Sequence, residues 1–314
     1  MVQSEIDLSK GIPTINKLCI HGDADGLASG VLIGYVSKVN NVWSPEEFGD
    51  AKDSDVVLDQ VPVDPTQPYI VFDHHSHPPK EKRKYQLVWD QVPATLIVYE
   101  CFKAQIPDDM KWKVAVGLVG DGQPELIPLE VWKLCPELLT GYATASERYG
   151  KLSIYSIPLY LKLSSGINAC CKLSEDKWYN AYQVLKNVKT PLQLIEDPVL
   201  ETALDFIRKE HDRVIREYHP IEFPYFRYWK ISSDYRMERH LAPKVMEGFD
   251  RKTTIIFNEK TKRMSIRGTL TPLLVEFLKA NNIQANGHPG FAGGNLTASQ
   301  NPDDLYKVLK KFRI

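Results

Sequence analysis

His21, Asp23 and Asp25 fall on alternate residues, and Gly26 follows directly. Two carboxylates and an imidazole at that spacing project from one tight turn. They offer the oxygen and nitrogen donors that divalent cations take, with imidazole shifting the preference from Mg2+ toward Mn2+ and other transition metals. Gly26 lets the backbone turn tightly into whatever follows. Taken alone, Asp-x-Asp-Gly also fits a calcium loop or a solvated turn. A second cluster, Asp73-His74-His75, closes the apolar run Tyr69-Ile-Val-Phe. Adjacent histidines behind an acid at a strand end read as ligands or proton carriers rather than as surface residues. Asp59 ends Val56-Val-Leu, and Asp121 lies between Gly120 and Gly122. Each of these two acids is an ordinary terminator when taken singly. Their order along one stretch of chain is the signal.

The elements that must carry these residues alternate. Lys17 to Ile20, Asp55 to Asp59 and Tyr69 to Asp73 read as strands. Leu27, Val31, Leu32, Tyr35, Val36 and Val39 recur at helical spacing, and Ala94–Ala104 and Trp112–Val119 also read as helices. Alternating strand and helix predicts an α/β fold with a parallel, Rossmann-like sheet and helices on its faces. Ligands of such sheets bind beyond the carboxyl ends of the strands, so Asp23/Asp25, Asp59 and Asp73-His74-His75 should converge at one edge.

Further along, Pro198 to Tyr218 carries apolar residues on one face and reads as a long linking helix. Tyr225–Ser232, Thr253–Asn258 and Arg263–Gly268 are strand-like, with 258–263 as a hairpin turn; Pro272–Ala280 is a helix and 286–294 a glycine-dense loop. The expected domains are 1–190, a linker helix at 191–218, and a smaller α/β domain at 219–314. Residues 219–314 carry a net charge of +7 and the remainder −8. An acidic part that holds cations, joined to a basic part that holds a polyanion, is electrostatically consistent.

With these motifs in view, the sequence resembles the DHH phosphoesterases. HGDADGLASG (21–30) is similar to the first motif of that family, DVVLDQV (55–61) to the second, VFDHH (71–75) to the third and GLVGDG (117–122) to the fourth. The GLAS ending resembles the RecJ-type nuclease branch. In the second part, Ser265-Ile-Arg267 resembles the Ser-x-Arg strand of the DHH-associated domain. Gly287-His288-Pro289 with Ala292-Gly293-Gly294 resembles its glycine-histidine loop. Residues 166–173 are similar to the Asn-Ala-Ala-Gly-Arg-Leu segment that leads out of the first domain. Two departures stand out: Ala285 and Asn286 replace the first two glycines of the loop, and Cys170-Cys171-Lys172 replaces Ala-Gly-Arg.

The resemblance implies a two-cation centre that hydrolyses phosphodiesters, with Mn2+ expected and Mg2+ as the alternative. One cation would take His21, Asp23 and Asp59. The other would take Asp25, Asp59, His74 and Asp121, so that Asp59 bridges. Asp73 would orient an imidazole, and His75 would contact the phosphate or protonate the leaving oxygen. Arg267, Ser265, His288 and the backbone at Gly287, Gly293 and Gly294 would hold substrate phosphate. Phe291 would stack on a base. The implied substrate is single-stranded DNA or RNA, digested by an exonuclease. Oligoribonucleotides or cyclic dinucleotides are the alternative, and a non-catalytic replication scaffold is a third reading. Replication or repair proteins are the implied partners. The basic and aromatic run Tyr225 to Lys230 could stack on single strands, but strand alternation places half of it in a core, and the core reading is preferred.

Composition narrows the setting. The five cysteines form no CxxC pair and suit reduced thiols in a cytoplasm. The polar start is unlike a signal peptide. No stretch approaches the roughly 18 apolar residues of a membrane span.

Overall fold

A computed structural model describes the chain outside residues 1, 9–10, 46–48, 68, 149–150, 174–176, 239–240, 242–251, 289, 298 and 314. Two compact units emerge, Met1–Leu204 and Asp205–Ile314. No helix among the described residues is long and apolar enough to cross a membrane.

The first unit contains β1 (Gln3–Ser4), β2 (Ile15–Ile20), α1 (Ala24–Val36), β3 (Val39–Trp43), β4 (Val56–Leu58), β5 (Ile70–Asp73), β6 (Gln86–Trp89), α2 (Ala94–Phe102), α3 (Lys113–Gly120), α4 (Leu129–Leu134), the antiparallel pair β7 (Gly141–Arg148) and β8 (Lys151–Pro158), α5 (Ser165–Leu173), α6 (Lys177–Asn187) and α7 (Pro191–Ile195). The six-stranded sheet has the order β1-β6-β5-β4-β2-β3. It is parallel throughout except for the short edge strand β1. The α/β, parallel-sheet class read from the sequence is the class observed.

Strand alternation divides the core. Leu18, Ile20, Val56, Leu58 and Phe72 are buried on the α1 side, where α1 touches β2, β3 and β4 and also α2, α3 and α6. This position explains why α1 is apolar nearly all round and buried from Ala24 to Ile33. Cys19, Val57, Val71 and Leu87 form a second cluster with Ala51, Tyr69 and Tyr85, flanked by Trp43 and Trp89. No residue of that second cluster comes from a helix. Among the described residues, this cluster is completed by tyrosines at the starts of β5 and β6 and by strand tryptophans.

The helix α8 (Pro198–Glu217) spans the boundary between the units. The second unit holds β9 (Ile221–Glu222), β10 (Phe226–Ile231), β11 (Thr253–Asn258), β12 (Arg263–Arg267), α9 (Thr271–Ala280), β13 (Gln284–His288), β14 (Phe291–Asn295) and α10 (Pro302–Leu309). Its sheet order is β13-β14-β12-β11-β10-β9. Leu274 and Leu278 of α9 and Leu305 and Leu309 of α10 pack on Phe226, Tyr228, Ile255, Phe257, Met264 and Ile266. Phe226, Tyr228 and Trp229 are all buried, so the core role preferred for this run extends beyond the half that alternation places inside, while Tyr225 is exposed.

Residues 286–294 differ from the loop expected there. Gln284–His288 and Phe291–Asn295 pair as antiparallel strands, with Ala285 opposite Gly294 and Asn286 opposite Gly293. Glycine here serves close packing: a Cβ on Gly294 would lie 2.3 Å from the Gln284 carbonyl oxygen. Because β14 is paired with both β12 and β13, the backbone N–H groups of Gly293 and Gly294 are taken up by the sheet. Gly287 lies on the edge strand β13.

Candidate metal centre

Three neighbouring parallel strands, β2, β4 and β5, end side by side, and each is followed by an acid or a histidine. His21 leaves β2 and Asp23 caps α1, its carboxylate accepting the N–H groups of Asp25 and Gly26 at 3.1 Å each. Gly26 is needed for space. A Cβ there would lie 2.2 Å from the His21 carbonyl oxygen, so the first turn of α1 can pack onto the strand end only with glycine. The Ala24 N–H donates to Asn168 Oδ1 of α5 at 3.1 Å, a second cap supplied from far along the chain.

Asp59 leaves β4 in the left-handed region, φ 57°, a conformation that Asp tolerates better than most side chains. Its N–H donates to the Phe72 carbonyl at 2.9 Å. Its carboxylate, 2% exposed with the rest of the residue, lies between two imidazoles: Oδ2 is 3.2 Å from His21 Nδ1 and Oδ1 is 3.2 Å from His74 Nε2. His21 Nδ1 is also 2.8 Å from Asp23 Oδ2. His74 Nε2 is 3.6 Å from Asp121 Oδ2, and Asp121 is the C-cap of α3. Asp25 is buried and anchored from α2, its two oxygens accepting the N–H groups of Ala94 at 2.8 Å and Thr95 at 2.9 Å.

Donor atoms gather in three overlapping groups, each within 4.8 Å: His21, Asp23 and Asp59; Asp25, His74 and Asp121; and Asp59, Asp73, His74 and His75. Their electrostatics describe a surplus of negative charge. Burial raises the Asp25 carboxyl well above the usual range, and Asp59 and Asp121 raise it further. Asp121 rises to about 7, first through burial and then through Asp59 and Asp23. Burial by itself would lower His21, but Asp23 and Asp59 outweigh it and hold the imidazole up at about 10. His74 is likewise lowered by burial and raised more by Asp59, Asp25 and Asp121, again to about 10. The cluster thus draws protons toward the points between its carboxylates. Hard oxygen donors with two imidazoles, buried and short of positive charge, fit divalent cations.

Asp73 is fully buried, and both of its oxygens are engaged by histidines. Oδ1 accepts the His74 N–H at 2.8 Å and lies 2.7 Å from His75 Nδ1. Oδ2 lies 2.9 Å from His77 Nε2. Burial would raise this carboxyl, and the contacts with His75 and His77 lower it far more. His75, about a third exposed, is held further by Trp89, whose Nε1 donates to its carbonyl at 2.9 Å. Sequence reading gave no role to Thr95, Trp89 and His77, and it met Asn168 only as part of the 166–173 segment similar to Asn-Ala-Ala-Gly-Arg-Leu. His77 had a signal of its own, since His75 and His77 alternate after Asp73 in one short run.

In the second unit, Ser265 of β12 is buried opposite Gly293, and its hydroxyl makes no hydrogen bond among the described residues. Arg267, at the end of β12, pairs with Phe291 and is partly exposed. The backbones of His288 and Phe291 pair with each other across the hairpin. Their side chains, and Pro289, lie outside the described residues.

No family model matches the sequence, and no curated relative matches it. Solved structures do. RecJ exonuclease bound to manganese superposes with a TM-score of 0.62 at 17% identity, over 97% of this chain and 91% of that one. The DHH domain of a member of a ribosomal-protein family gives 0.62 at 12% identity, over 95% and 86%. A pGpG-specific phosphodiesterase from Vibrio cholerae gives 0.52 at 14% identity, over 94% and 97%. At such identities the likeness concerns architecture, and by that measure the chain is built on the fold shared by RecJ and the DHH-domain proteins.

Proposed function

We propose that the chain is a metal-dependent phosphodiesterase, and within that class a RecJ-like exonuclease acting on single-stranded DNA or RNA. One observation carries the proposal. Asp59 stands between His21 and His74 at 3.2 Å from each, joining two donor groups that fit one cation apiece. His21, Asp23 and Asp59 would hold one cation, and Asp25, His74 and Asp121 with Asp59 the other, Mn2+ in preference to Mg2+. When bound, such cations neutralise charge on a phosphoryl group and activate water.

The chain's own residues supply the rest. Asp25 is pinned by two backbone N–H groups, so its carboxylate keeps its place whatever is bound. Asp73 engages Nδ1 of His75, which directs Nε2 to the phosphate or the leaving oxygen. Arg267 offers a planar fork for a phosphate. Gly287 and His288, with Ser265, Gly293 and Gly294, would contact phosphate as well, and Phe291 would stack on a base. The domains at work are the metal-binding first unit and the substrate-binding second.

The match with the pGpG-specific phosphodiesterase over almost the whole of both chains favours a second reading, in which the same centre cleaves only very short substrates. A digestion series with Mn2+ separates the two. End-labelled 20-mers of DNA and RNA, a dinucleotide and cyclic di-AMP would be incubated with the wild type and with Asp73→Ala/His74→Ala. Release of mononucleotides from a 20-mer supports the exonuclease. Cleavage confined to dinucleotides or the cyclic substrate moves the protein to the second reading. Equal activity of the double variant would remove the proposed centre altogether.

A further inference from the structure

His77 is a buried histidine behind the site. Its side chain is 4% exposed. Nε2 lies 2.9 Å from Asp73 Oδ2, and Nδ1 lies 2.8 Å from the Tyr85 hydroxyl. The pair is an ion-pair contact and not an aligned hydrogen bond: neither Asp73 Oδ2 nor His77 Nε2 has a hydrogen-bond partner among the described residues. Tyr85 is itself fixed. It is 2% exposed, its ring meets His77 edge-on at 5.6 Å, and Arg83 lies 4.9 Å over its face. Arg83 also donates to the Tyr85 carbonyl at 2.8 Å and to both oxygens of Glu5. A row of contacts therefore runs from Glu5 through Arg83, Tyr85, His77 and Asp73 to His75.

An ionised carboxylate only accepts, so His75 Nδ1 presents N–H to Asp73 Oδ1, while His77 Nε2 stands 2.9 Å from Oδ2 as its charge partner, off the hydrogen-bond axis. In the Nε2–H tautomer of His77, Nδ1 accepts and the Tyr85 O–H donates to it. The terminal torsion of an aspartate is broad. Contacts on Oδ1 alone would leave the carboxylate room to swing, and His77 supplies the second point, on Oδ2. That point matters because the position of Oδ1 decides which nitrogen of His75 carries the proton.

We propose that His77, backed by Tyr85, is a positioning residue that holds the Asp73 carboxylate toward His75, so that His75 keeps its Nδ1–H tautomer and presents Nε2 to the substrate. The consequence for turnover rests on the phosphodiesterase reading above; the consequence for the His75 tautomer rests on the geometry alone.

The test uses the full chain and the variants His77→Ala, His77→Gln and Tyr85→Phe. Glutamine places an amide N–H about where Nε2–H stood. With Mn2+ and a dinucleotide substrate, His77→Ala is expected to lower kcat by roughly 10–100-fold, the usual effect of losing such a supporting contact, with KM and Mn2+ affinity within about threefold. His77→Gln should recover most of the loss. In the metal-free protein, nitrogen NMR of labelled histidines should show the Nδ1–H tautomer of His75 in the wild type and a mixture in His77→Ala. If His77→Ala fails to fold, Tyr85→Phe, which keeps the ring, carries both measurements. An unchanged His75 tautomer overturns the proposal. So does a loss spread equally over kcat, KM and Mn2+ affinity, which would mark a merely structural role. Should the wild type cleave no phosphodiester, the functional reading falls, and the tautomer measurement still decides the role of His77.

Discussion

Thr95 donates twice to Asp25, once to its side chain and once to its backbone. The Thr95 N–H donates to the Asp25 carboxylate at 2.9 Å, and the Thr95 hydroxyl donates to the Asp25 carbonyl at 2.9 Å. Both residues are buried, and Gly117 of α3 closes over them, with a Cβ at that position 2.1 Å from Thr95 Oγ1 and 2.9 Å from Asp25 Oδ1. Gly117→Ala is therefore expected to lower stability by about 1–3 kcal/mol, as overpacking does, and to weaken Mn2+ binding because Asp25 must shift. Urea unfolding and calorimetry measure the two effects. Thr95→Val, which removes only the hydroxyl, should cost about 1 kcal/mol.

Asp59→Asn separates charge from shape. Asparagine also tolerates the left-handed backbone at φ 57° and is nearly isosteric, so the fold should persist with a thermal midpoint close to wild type. The charge between His21 and His74 is lost. Mn2+ affinity should fall by more than about tenfold and phosphodiesterase activity by at least about 100-fold, since the proposed bridge is removed. A variant that binds Mn2+ as tightly as wild type would show that Asp59 is no ligand.

Cation removal should be visible in stability as well as in activity. Dialysis against a chelator is expected to abolish hydrolysis and lower the thermal midpoint, and returning Mn2+ should restore both. At a cation concentration about 100 times the dissociation constant, the gain for one site is about 2.7 kcal/mol. Scanning calorimetry over a Mn2+ series tests it; no shift at any concentration would argue against a cation site in the folded protein.

Lys113 supplies a pH dependence away from the centre. It is fully buried, and its Nζ donates to the Tyr35 hydroxyl at 2.9 Å and to the Lys186 carbonyl at 3.1 Å. Burial, with a smaller contribution from Lys189, lowers its pKa from 10.5 to about 8. Below about pH 8 the lysine is charged in both states, and the folded protein bears the full cost of the buried charge. Between about 8 and 10.5 the folded state has released the proton while the unfolded state keeps it, so the contribution of Lys113 to stability rises with pH, by up to about 3 kcal/mol. Urea midpoints from about pH 7 to 10 should show this rise in the wild type and not in Lys113→Met.

Short-range pattern was enough for much of this protein. Strands ending in Asp59 and Asp73, a helix beginning behind Asp23 and an acid closing Val116–Gly120 are all local signals. Alternation of strand and helix implied a parallel sheet, whose geometry brings strand ends together. The candidate donors His21, Asp23, Asp25, Asp59, His74 and Asp121 could be named on that basis. Tertiary structure decided what holds them. Thr95 anchors Asp25, Asn168 caps α1, and Tyr85 backs His77; none of these pairings leaves a periodic trace, because each joins residues on different elements. The left-handed turn at Asp59 is likewise set by its bond to Phe72 on the neighbouring strand. The glycines of 286–294 read as a loop because glycine marks turns locally, yet the segment forms a hairpin in which Gly294 packs so closely on Gln284 that a Cβ has no room. Residue type and order named the chemistry, and long-range packing fixed the direction in which each side chain can perform it.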